Sequence, residues 1–368
     1  MARKTGVAVG RLALCRERID AIDRRIVALL NRRAAVVRDI GEIKKARGIE
    51  VVDPRREEEV LARIEAANPG PFPSESLRGI YREIFAASHQ LEEPLTVAYF
   101  GPQATFTHQA CRHVFGSAAR TLPKASIREV FRAVERDEAA FGVVPVENST
   151  EGVVNHTLDM FLESPLTIFT ELVLVVHHHL LSRSGRLQEI RVLYSHPQPV
   201  AQCAEWLQGH LPEVPVQEVS STAEAARRAA ADPAGAAIAS RLAGELYGLR
   251  AVRRNIEDRH DNVTRFLVVS RREHEPTGRD TTSILFSIKD RVGALHDILL
   301  PFARRGINLT KIESRPSRRR AWDYVFFVDF QGHRADPAVQ AVLQRLRRSC
   351  SVLKVLGSYP TNREAQER

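Results

Sequence analysis

Cysteine is scarce: Cys15, Cys111, Cys203 and Cys350 stand far apart in 368 residues with no Cys-x-x-Cys spacing. That excludes a disulfide framework and offers no zinc site, so no metal is expected. No apolar run approaches the roughly 18 residues that cross a bilayer, and the first ten residues lack a signal-peptide core. The expectation is a cytoplasmic chain without a membrane partner. A Gly-x-Gly-x-x-Gly loop is also missing, which argues against a dinucleotide-dependent oxidoreductase. Acidic charge is outnumbered, 45 Asp and Glu against 54 Lys and Arg, giving a net +9. The excess is local, with balances of +3 over residues 1–95, −2 over 96–278 and +8 over 279–368. Part of it is the run Arg315-Pro-Ser-Arg-Arg-Arg, read as a solvated loop, so no nucleic acid partner is expected. Ordinary globular composition, 43% hydrophobic and 27% charged, and this length imply two or three domains.

Residues 12–47 contain no proline and no interior glycine but Gly41. Their apolar side chains recur at Cys15, Ile19, Ile22, Ile26, Leu29, Val36, Ile40 and Ile43, in steps of four and three, which predicts one long helix. Only Arg33 interrupts the seam. A helix of roughly 50 Å exceeds what a small domain covers, so a partner chain is expected to share it in an intertwined dimer. Gly48 ends the helix, Asp53-Pro54 caps a second to about residue 67, and Ser74 caps a third to about residue 91. From residue 95 strands alternate with helical patterns, at 95–100, 141–146, 166–176, 191–194, 236–239 and 266–269, which indicates an α/β sheet domain with ligands at strand ends. After a polar linker at 271–280, the order βαββαβ suggests a ferredoxin-like module. The domains are expected at 11–93, 95–272 and 280–360.

Arg33 sits where the helical seam demands an apolar side chain, and a buried guanidinium needs an anionic answer. That answer is an internal acid such as Asp39 or Glu57, or a ligand. Lys44 lies eleven residues on along the same stripe, Arg16 near the other end, Arg56 and Glu57 just after the second cap, and Ser88 and Glu92 at i, i+4 on the third helix. Together these residues resemble the all-α class of chorismate mutases. The match falls on Arg16, Arg33, Lys44, the Asp53-Pro-Arg-Arg56-Glu57 element and Ser88. The resemblance implies that Arg16 reaches into the partner subunit's pocket, that Arg33, Arg56 and Ser88 grip carboxylates, that Lys44 faces the ether oxygen of chorismate and that Glu57 takes its ring hydroxyl. Glu92 replaces a glutamine of that family's best-known pattern, and a carboxylate must carry a proton to donate there.

Three loops follow strands in the α/β region: Gly101 to His108, Glu147 to Gly152 and Asn262 to Phe266. Singly, their Asn, Ser and Thr residues read as caps and turns. Val97-Ala-Tyr-Phe-Gly-Pro, Pro145-Val-Glu-Asn-Ser-Thr-Glu-Gly, Ser195-His-Pro-Gln and Thr264-Arg-Phe, in this order, resemble the prephenate dehydratases. The resemblance implies an α/β fold like that of periplasmic binding proteins. In it Arg265 would grip substrate carboxylates, Thr264 would polarise the departing hydroxyl, and Phe266 would pack against the ring. Thr105, Asn148, Ser149 and Thr150 would line the cleft. Ala104 stands where relatives commonly have glycine. His177-His-His179 and His196 read as packed residues rather than ligands or bases.

Gly293-Ala294-Leu295 at a helix start and Glu313-Ser314-Arg315-Pro316 after a strand are similar to the two signatures of a phenylalanine-binding ACT domain. The chain is thus multidomain: a three-helix all-α unit, a periplasmic-binding-protein-like α/β domain and a ferredoxin-like α+β module. It resembles the bifunctional family that converts chorismate to prephenate and prephenate to phenylpyruvate under phenylalanine inhibition, as a homodimer or higher oligomer without a cofactor. The alternatives are a dehydratase acting on arogenate and a non-catalytic sensor of small acids.

Overall fold

The structure is a computed structural model that describes residues 2–47, 52–273, 275–289, 291–316 and 324–361. Gly48 and the arginines at 318–320, named above, lie outside the described residues. The chain divides into two compact units: Met1–Leu95 with Gly116–Ala119, and Thr96–Phe115 with Arg120–Arg368.

The first unit is helical. α1 (Ala2–Arg47) runs for 46 residues, longer than the periodicity alone marks. α2 (Pro54–Ala66) begins as expected: the Asp53 carboxylate accepts from the Arg56 N–H, and Pro54 occupies the first turn. α3 (Ser74–Glu92) has Pro73 rather than Ser74 at its cap, and the Ser74 hydroxyl instead accepts from Asn68 Nδ2 at 3.2 Å. α1 and α2 both pack on α3 around Val37, Leu61, Phe85 and Ala86. Gly41 allows the close approach of α1 to α3, since a Cβ there would lie 3.1 Å from the Glu92 Cα. The side of α1 that meets α3 is therefore the stripe of Val37 and Gly41. Most of the expected seam, Ile19, Ile22, Ile26, Leu29, Val36, Ile40 and Ile43, remains exposed in the single chain.

The second unit begins with a lobe of β1 (Thr96–Phe100), α4 (Phe106–Phe115), β2 (Arg120–Lys124), α5 (Ile127–Glu135), β3 (Phe141–Asn148), β4 (Gly152–Val153), α6 (Asn155–Glu163) and β5 (Thr167–Val175). A second lobe holds β6 (His179–Ser182), β7 (Val192–Ser195), α7 (Pro197–Gln202), α8 (Ala204–His210), β8 (Val216–Glu218), α9 (Thr222–Ala231), β9 (Gly235–Ala239), α10 (Arg241–Tyr247) and β10 (Arg250–Arg253). β11 (Val263–Ser270) then returns to the first lobe, between β3 and β5. The sheets run β2-β1-β3-β11-β5 and β10-β6-β9-β7-β8. The chain crosses between lobes twice, after β5 and before β11. Both crossings lie beside the ends of β3 and β11, where the loops named above converge.

The terminal module is β12 (Asp280–Ser287), α11 (Ala294–Ala303), β13 (Leu309–Pro316), β14 (Tyr324–Gln331), α12 (Pro337–Ser349) and β15 (Val352–Pro360), the βαββαβ order expected. Its sheet runs β13-β14-β12-β15. One face carries α11 and α12 over Ile284, Phe286, Phe302, Phe330 and Leu346. The other, with Leu285, Val325, Phe327, Leu356 and Tyr359, merges into the first lobe's core of Val144, Ile168 and Leu267. Gly357, at φ +152°, marks the tightest point, for a Cβ there would sit 2.4 Å from the Ile168 carbonyl oxygen. Gly357→Ala should therefore cost about 2–3 kcal/mol by forcing β15 off β5. Denaturant unfolding reads the loss, and a midpoint equal to wild type contradicts it.

Candidate active sites

In the helical unit, α3 meets α1 in two side-chain pairs and α2 in a third. Arg33 is half-buried; it donates to the Ser88 hydroxyl and lies over the Phe85 ring, 5.6 Å from its centre. Ser88 donates in turn to the Ile84 carbonyl at 2.7 Å, so its oxygen is fixed as the acceptor for Arg33. Among the described residues no carboxylate pairs with Arg33. The Lys44 ammonium lies 3.0 Å from the buried Glu92 carboxylate, three turns along the same stripe. Glu57 Oε1 lies 2.9 Å from His89 Nε2, a partner the sequence did not single out.

Three expected residues stand apart from this cluster. The Asp53 carboxylate accepts from the Arg56 N–H as a helix cap. Arg56 itself is exposed beside Glu59 at 3.3 Å. Arg16 is exposed and, seventeen residues from Arg33, roughly 25 Å away along the helix. No single chain brings the two to one ligand.

In the second unit the loops meet around one pair of residues. Asn148 ends β3 opposite Thr264 on β11, and its Nδ2 donates to Thr264 Oγ1 at 2.8 Å and to Asn262 Oδ1 at 2.8 Å. Its Oδ1 accepts from the N–H groups of Thr150 and Glu151 and from the Thr150 hydroxyl, an Asx turn that fixes the amide's orientation. Asn262 Nδ2 donates to Gln202 Oε1 at 3.2 Å, which also meets His178 Nε2 at 2.8 Å. Gln202 ends α7 of the second lobe, and its Nε2 donates to Thr150 Oγ1 at 3.3 Å. The donor directions along this chain are thereby set. Thr264 Oγ1 accepts from Asn148, which leaves its own O–H free to donate outward. Gln202, Asn262 and His178 were not singled out as site residues, because an isolated amide carries no spacing signal.

The Ser149 hydroxyl ties the loop to the start of β11 by accepting from the Val263 N–H at 3.0 Å and donating to the Asp261 carbonyl. Thr105 caps α4, accepting from the His108 N–H at 3.3 Å. Ala104 adopts φ +69°, the left-handed region that explains a preference for glycine. Burial pushes the neighbouring His108 down to about 4, so it stays neutral and its Nδ1 accepts from the Ala104 N–H. His196 caps α7, accepting from the Gln198 N–H.

Two expectations are corrected here. Arg265 faces away from Thr264: its guanidinium meets Glu171 at 2.7 Å, Asp329 at 2.7 Å and the Tyr359 hydroxyl at 3.0 Å. Alternation along the strand places residue 265 opposite to 264, and two internal acids already answer its charge. Phe266 is 1% exposed and packs in the interior rather than against a ligand. In the histidine run, His177 and His178 form the first lobe crossing and His179 opens β6; Glu257 of the second crossing takes His177 Nδ1 at 2.7 Å and the His178 N–H at 2.9 Å.

In the terminal module Gly293 caps α11 with φ +78°, and Ala294 and Leu295 open that helix. Glu313, Ser314, Arg315 and Pro316 lie on β13, the sheet's edge. Arg315 is already engaged, with Asp159 at 2.8 Å and the Asn155 carbonyl at 2.7 Å. A separate cavity of about 800 Å³ between α5, α6 and this module is lined by Ile127, His156, Met160, Leu285, Val325 and Lys354 and by none of the expected site residues.

Three family models match the chain in order: chorismate mutase type II over residues 15–93, prephenate dehydratase over 97–274 and ACT domain over 282–348. A bifunctional chorismate mutase/prephenate dehydratase of Aquifex aeolicus is 50% identical over 349 residues, 94% of this chain and 96% of that protein. One of Pseudomonas aeruginosa is 45% identical over 355 residues, 95% and 97% of the two chains. Among solved structures, a prephenate dehydratase of Arthrobacter aurescens in complex with L-Phe is 37% identical with a TM-score of 0.67, over 73% of this chain and 90% of that one.

Burial alone would raise Glu257, but the bonds from His177 and the His178 N–H hold it below the ordinary carboxylate range. A depressed carboxylate stabilises the fold above the unfolded value and loses that contribution as pH falls through the folded one. Glu257→Gln should therefore lower the unfolding midpoint at pH 7, with the gap to wild type closing below about pH 4.3. A gap that stays constant down to the acid limit contradicts the assignment.

Proposed function

The chain belongs to the family of bifunctional chorismate mutase/prephenate dehydratases, and on that premise we propose how its residues divide the two reactions. The helical unit rearranges chorismate to prephenate, breaking the ether C–O bond as a C–C bond forms within one molecule. No nucleophile, metal or net proton transfer is needed, so the protein's task is to hold a compact conformer and stabilise charge on the ether oxygen. Arg33 carries this half: it is a half-buried cation on an apolar seam, supported by a hydroxyl and a ring but by no acid among the described residues. It grips one carboxylate with Ser88, Arg16 of the partner subunit and Arg56 take the other, and Glu57 takes the ring hydroxyl. Lys44 turns from Glu92 to the ether oxygen. An ether oxygen only accepts, so Glu92 contributes beside it only while it carries a proton. The exposed seam of α1 is closed by a second copy of the chain, in the cytoplasm.

The two-lobed domain converts prephenate to phenylpyruvate. The C–C bond to the ring carboxylate breaks to release CO2, the electron pair enters the ring as it becomes aromatic, and the ring C–O bond breaks. The departing hydroxide takes a proton and leaves as water. The free O–H of Thr264 carries this half, since Asn148 fills its acceptor side and directs the donor to the leaving oxygen. Thr105, Ser149 and Thr150 hold the loops around it. A threonine hydroxyl is a weak acid, so positioning and aromatisation supply most of the drive. Phenylalanine binds where Gly293, Ala294 and Leu295 open α11, with Glu313, Ser314 and Pro316 on the exposed edge strand of a neighbouring copy, and inhibits the dehydratase.

Chorismate supplied to the purified chain should yield phenylpyruvate, and less of it with phenylalanine present. Arg33→Ala should cut prephenate formation by about 10²–10³ while added prephenate is still consumed, and Thr264→Ala should do the reverse by a similar factor. Loss of both activities in either variant contradicts the division. Because each mutase site takes Arg16 from one chain and Arg33 from the other, mixing the inactive Arg16→Ala and Arg33→Ala chains should restore up to about a quarter of the wild-type rate. No restoration on mixing contradicts the shared site. Glu92→Gln, whose amide donates without needing an added proton, should keep or raise the mutase rate, and a loss of more than about tenfold contradicts this role.

A further inference from the structure

Thr264 stands beside an irregularity in one of the two ladders that hold β11. The β3–β11 ladder shifts register between Arg265 and Phe266, and beyond that irregularity only two pairs remain, Arg265 with Glu147 and Thr264 with Asn148. A bulge re-aims a strand and loosens its ladder; β11 pairs β5 without a break from Val263 to Val268, but on the β3 side only these two pairs set Thr264 against Asn148 within the fraction of an ångström that catalysis needs. The structure answers on the opposite face. Both members of the Arg265 and Glu147 pair are held by the ACT sheet. Lys311 of β13 donates to Glu147 Oε2 at 2.6 Å, and Asp329 of β14 meets Arg265 at 2.7 Å. The Tyr359 hydroxyl of β15 accepts from Arg265 at 3.0 Å.

The anchor is itself braced. Ser283 of β12 donates to Asp329 Oδ1 at 2.5 Å and shares a 2.7 Å hydrogen bond with Tyr359. Since Ser283 gives its proton to Asp329, Tyr359 gives its own to Ser283 and keeps its lone pairs for Arg265. Burial, and then Asp329, push the Tyr359 phenol well above its ordinary value, so this direction does not change with pH. Burial opposes the charge of Arg265, but Tyr359, Asp329 and Glu171 more than offset it. Three strands of the ACT sheet thus reach the one pair of residues that adjoins the reacting pair, and β12 braces two of the contacts.

We propose that Lys311, Asp329 and Tyr359 are positioning residues of the dehydratase reaction, so that the ACT sheet is a platform for catalysis in the uninhibited enzyme and not only a sensor. The proposal rests on the reading of Thr264 and Asn148 as the reacting pair. None of the three residues touches substrate; they act through the Arg265 and Glu147 pair on the orientation of Thr264.

The test uses the full chain with prephenate supplied directly and no phenylalanine. Tyr359→Phe removes one hydroxyl and Lys311→Met one charge at constant bulk, and each should lower kcat about tenfold with KM within about twofold of wild type. Lys311→Arg, which keeps a donor within reach of Glu147, should recover most of the rate. Asn148→Ala already releases Thr264, so adding Tyr359→Phe to it should cost no more than about a further twofold. Thermal unfolding identifies a variant that has merely unfolded, and Tyr359→Phe and Lys311→Met are the mild members that keep the test decisive. The proposal is overturned if both leave kcat within about twofold of wild type, if KM rises with kcat unchanged, or if the losses of Tyr359→Phe and Asn148→Ala multiply. A wild-type chain that consumes no prephenate removes the underlying reading instead.

Discussion

A guanidinium taken out of water must be answered, and the two halves of this chain are organised around two arginines answered in opposite ways. Arg265 is met by Glu171, Asp329, and Tyr359, with its charge fully used inside the protein. Such a site is stable only while every partner remains, because removing one leaves a buried charge alone at a cost of about 3–5 kcal/mol. Arg33 is met by a hydroxyl and an aromatic ring, which orient the cation without neutralising it. The first arginine fastens sheets together, and the second keeps its affinity for an anion. Residue type does not separate them; partners do.

This difference marks where the sequence was legible. The long helix over 12–47, its half-buried Arg33 and the cap at Asp53 follow from period and cap chemistry, which are local; the ten residues by which α1 runs further at its start do not. So does the βαββαβ order of the last module, where the strands run eight or nine residues. The short strands β2, β6, β8 and β10 were missed. β2 carries Pro123, β8 is exposed at every position and β10 has arginine at both ends, so none presents an apolar run. They form because neighbouring strands offer a ladder, which is tertiary context.

The role of Arg265 was illegible for the same reason. A motif places Thr264, Arg265 and Phe266 side by side, yet strand alternation sends 264 and 265 to opposite faces. What Arg265 meets there is set by Asp329 and Tyr359, 64 and 94 residues later. Asp53 shows the local case: its capping role was legible from Asp-Pro. Gln202, Asn262 and His178 carry the hydrogen-bond polarity of the cleft but come from separate loops, and only the fold makes them a series.

That polarity connects the architecture to the chemistry. An amide is a donor at one end and an acceptor at the other, so a string of amides transmits direction. The Asx turn at Asn148 uses three N–H and O–H donors to pin one carbonyl, which forces the NH2 group toward Thr264 and Asn262. Asn262 must then present its own NH2 to Gln202, whose carbonyl also meets His178. The same string crosses from the first lobe to the second at Gln202 and Thr150, so a change in lobe separation reaches the Thr264 hydroxyl as a change in hydrogen-bond direction. On the opposite face the Arg265 and Glu147 pair fixes where that hydroxyl stands. Direction is supplied by neutral amides from the two lobes and place by charges from the terminal sheet, and a weak acid such as threonine needs both to be useful to a leaving group.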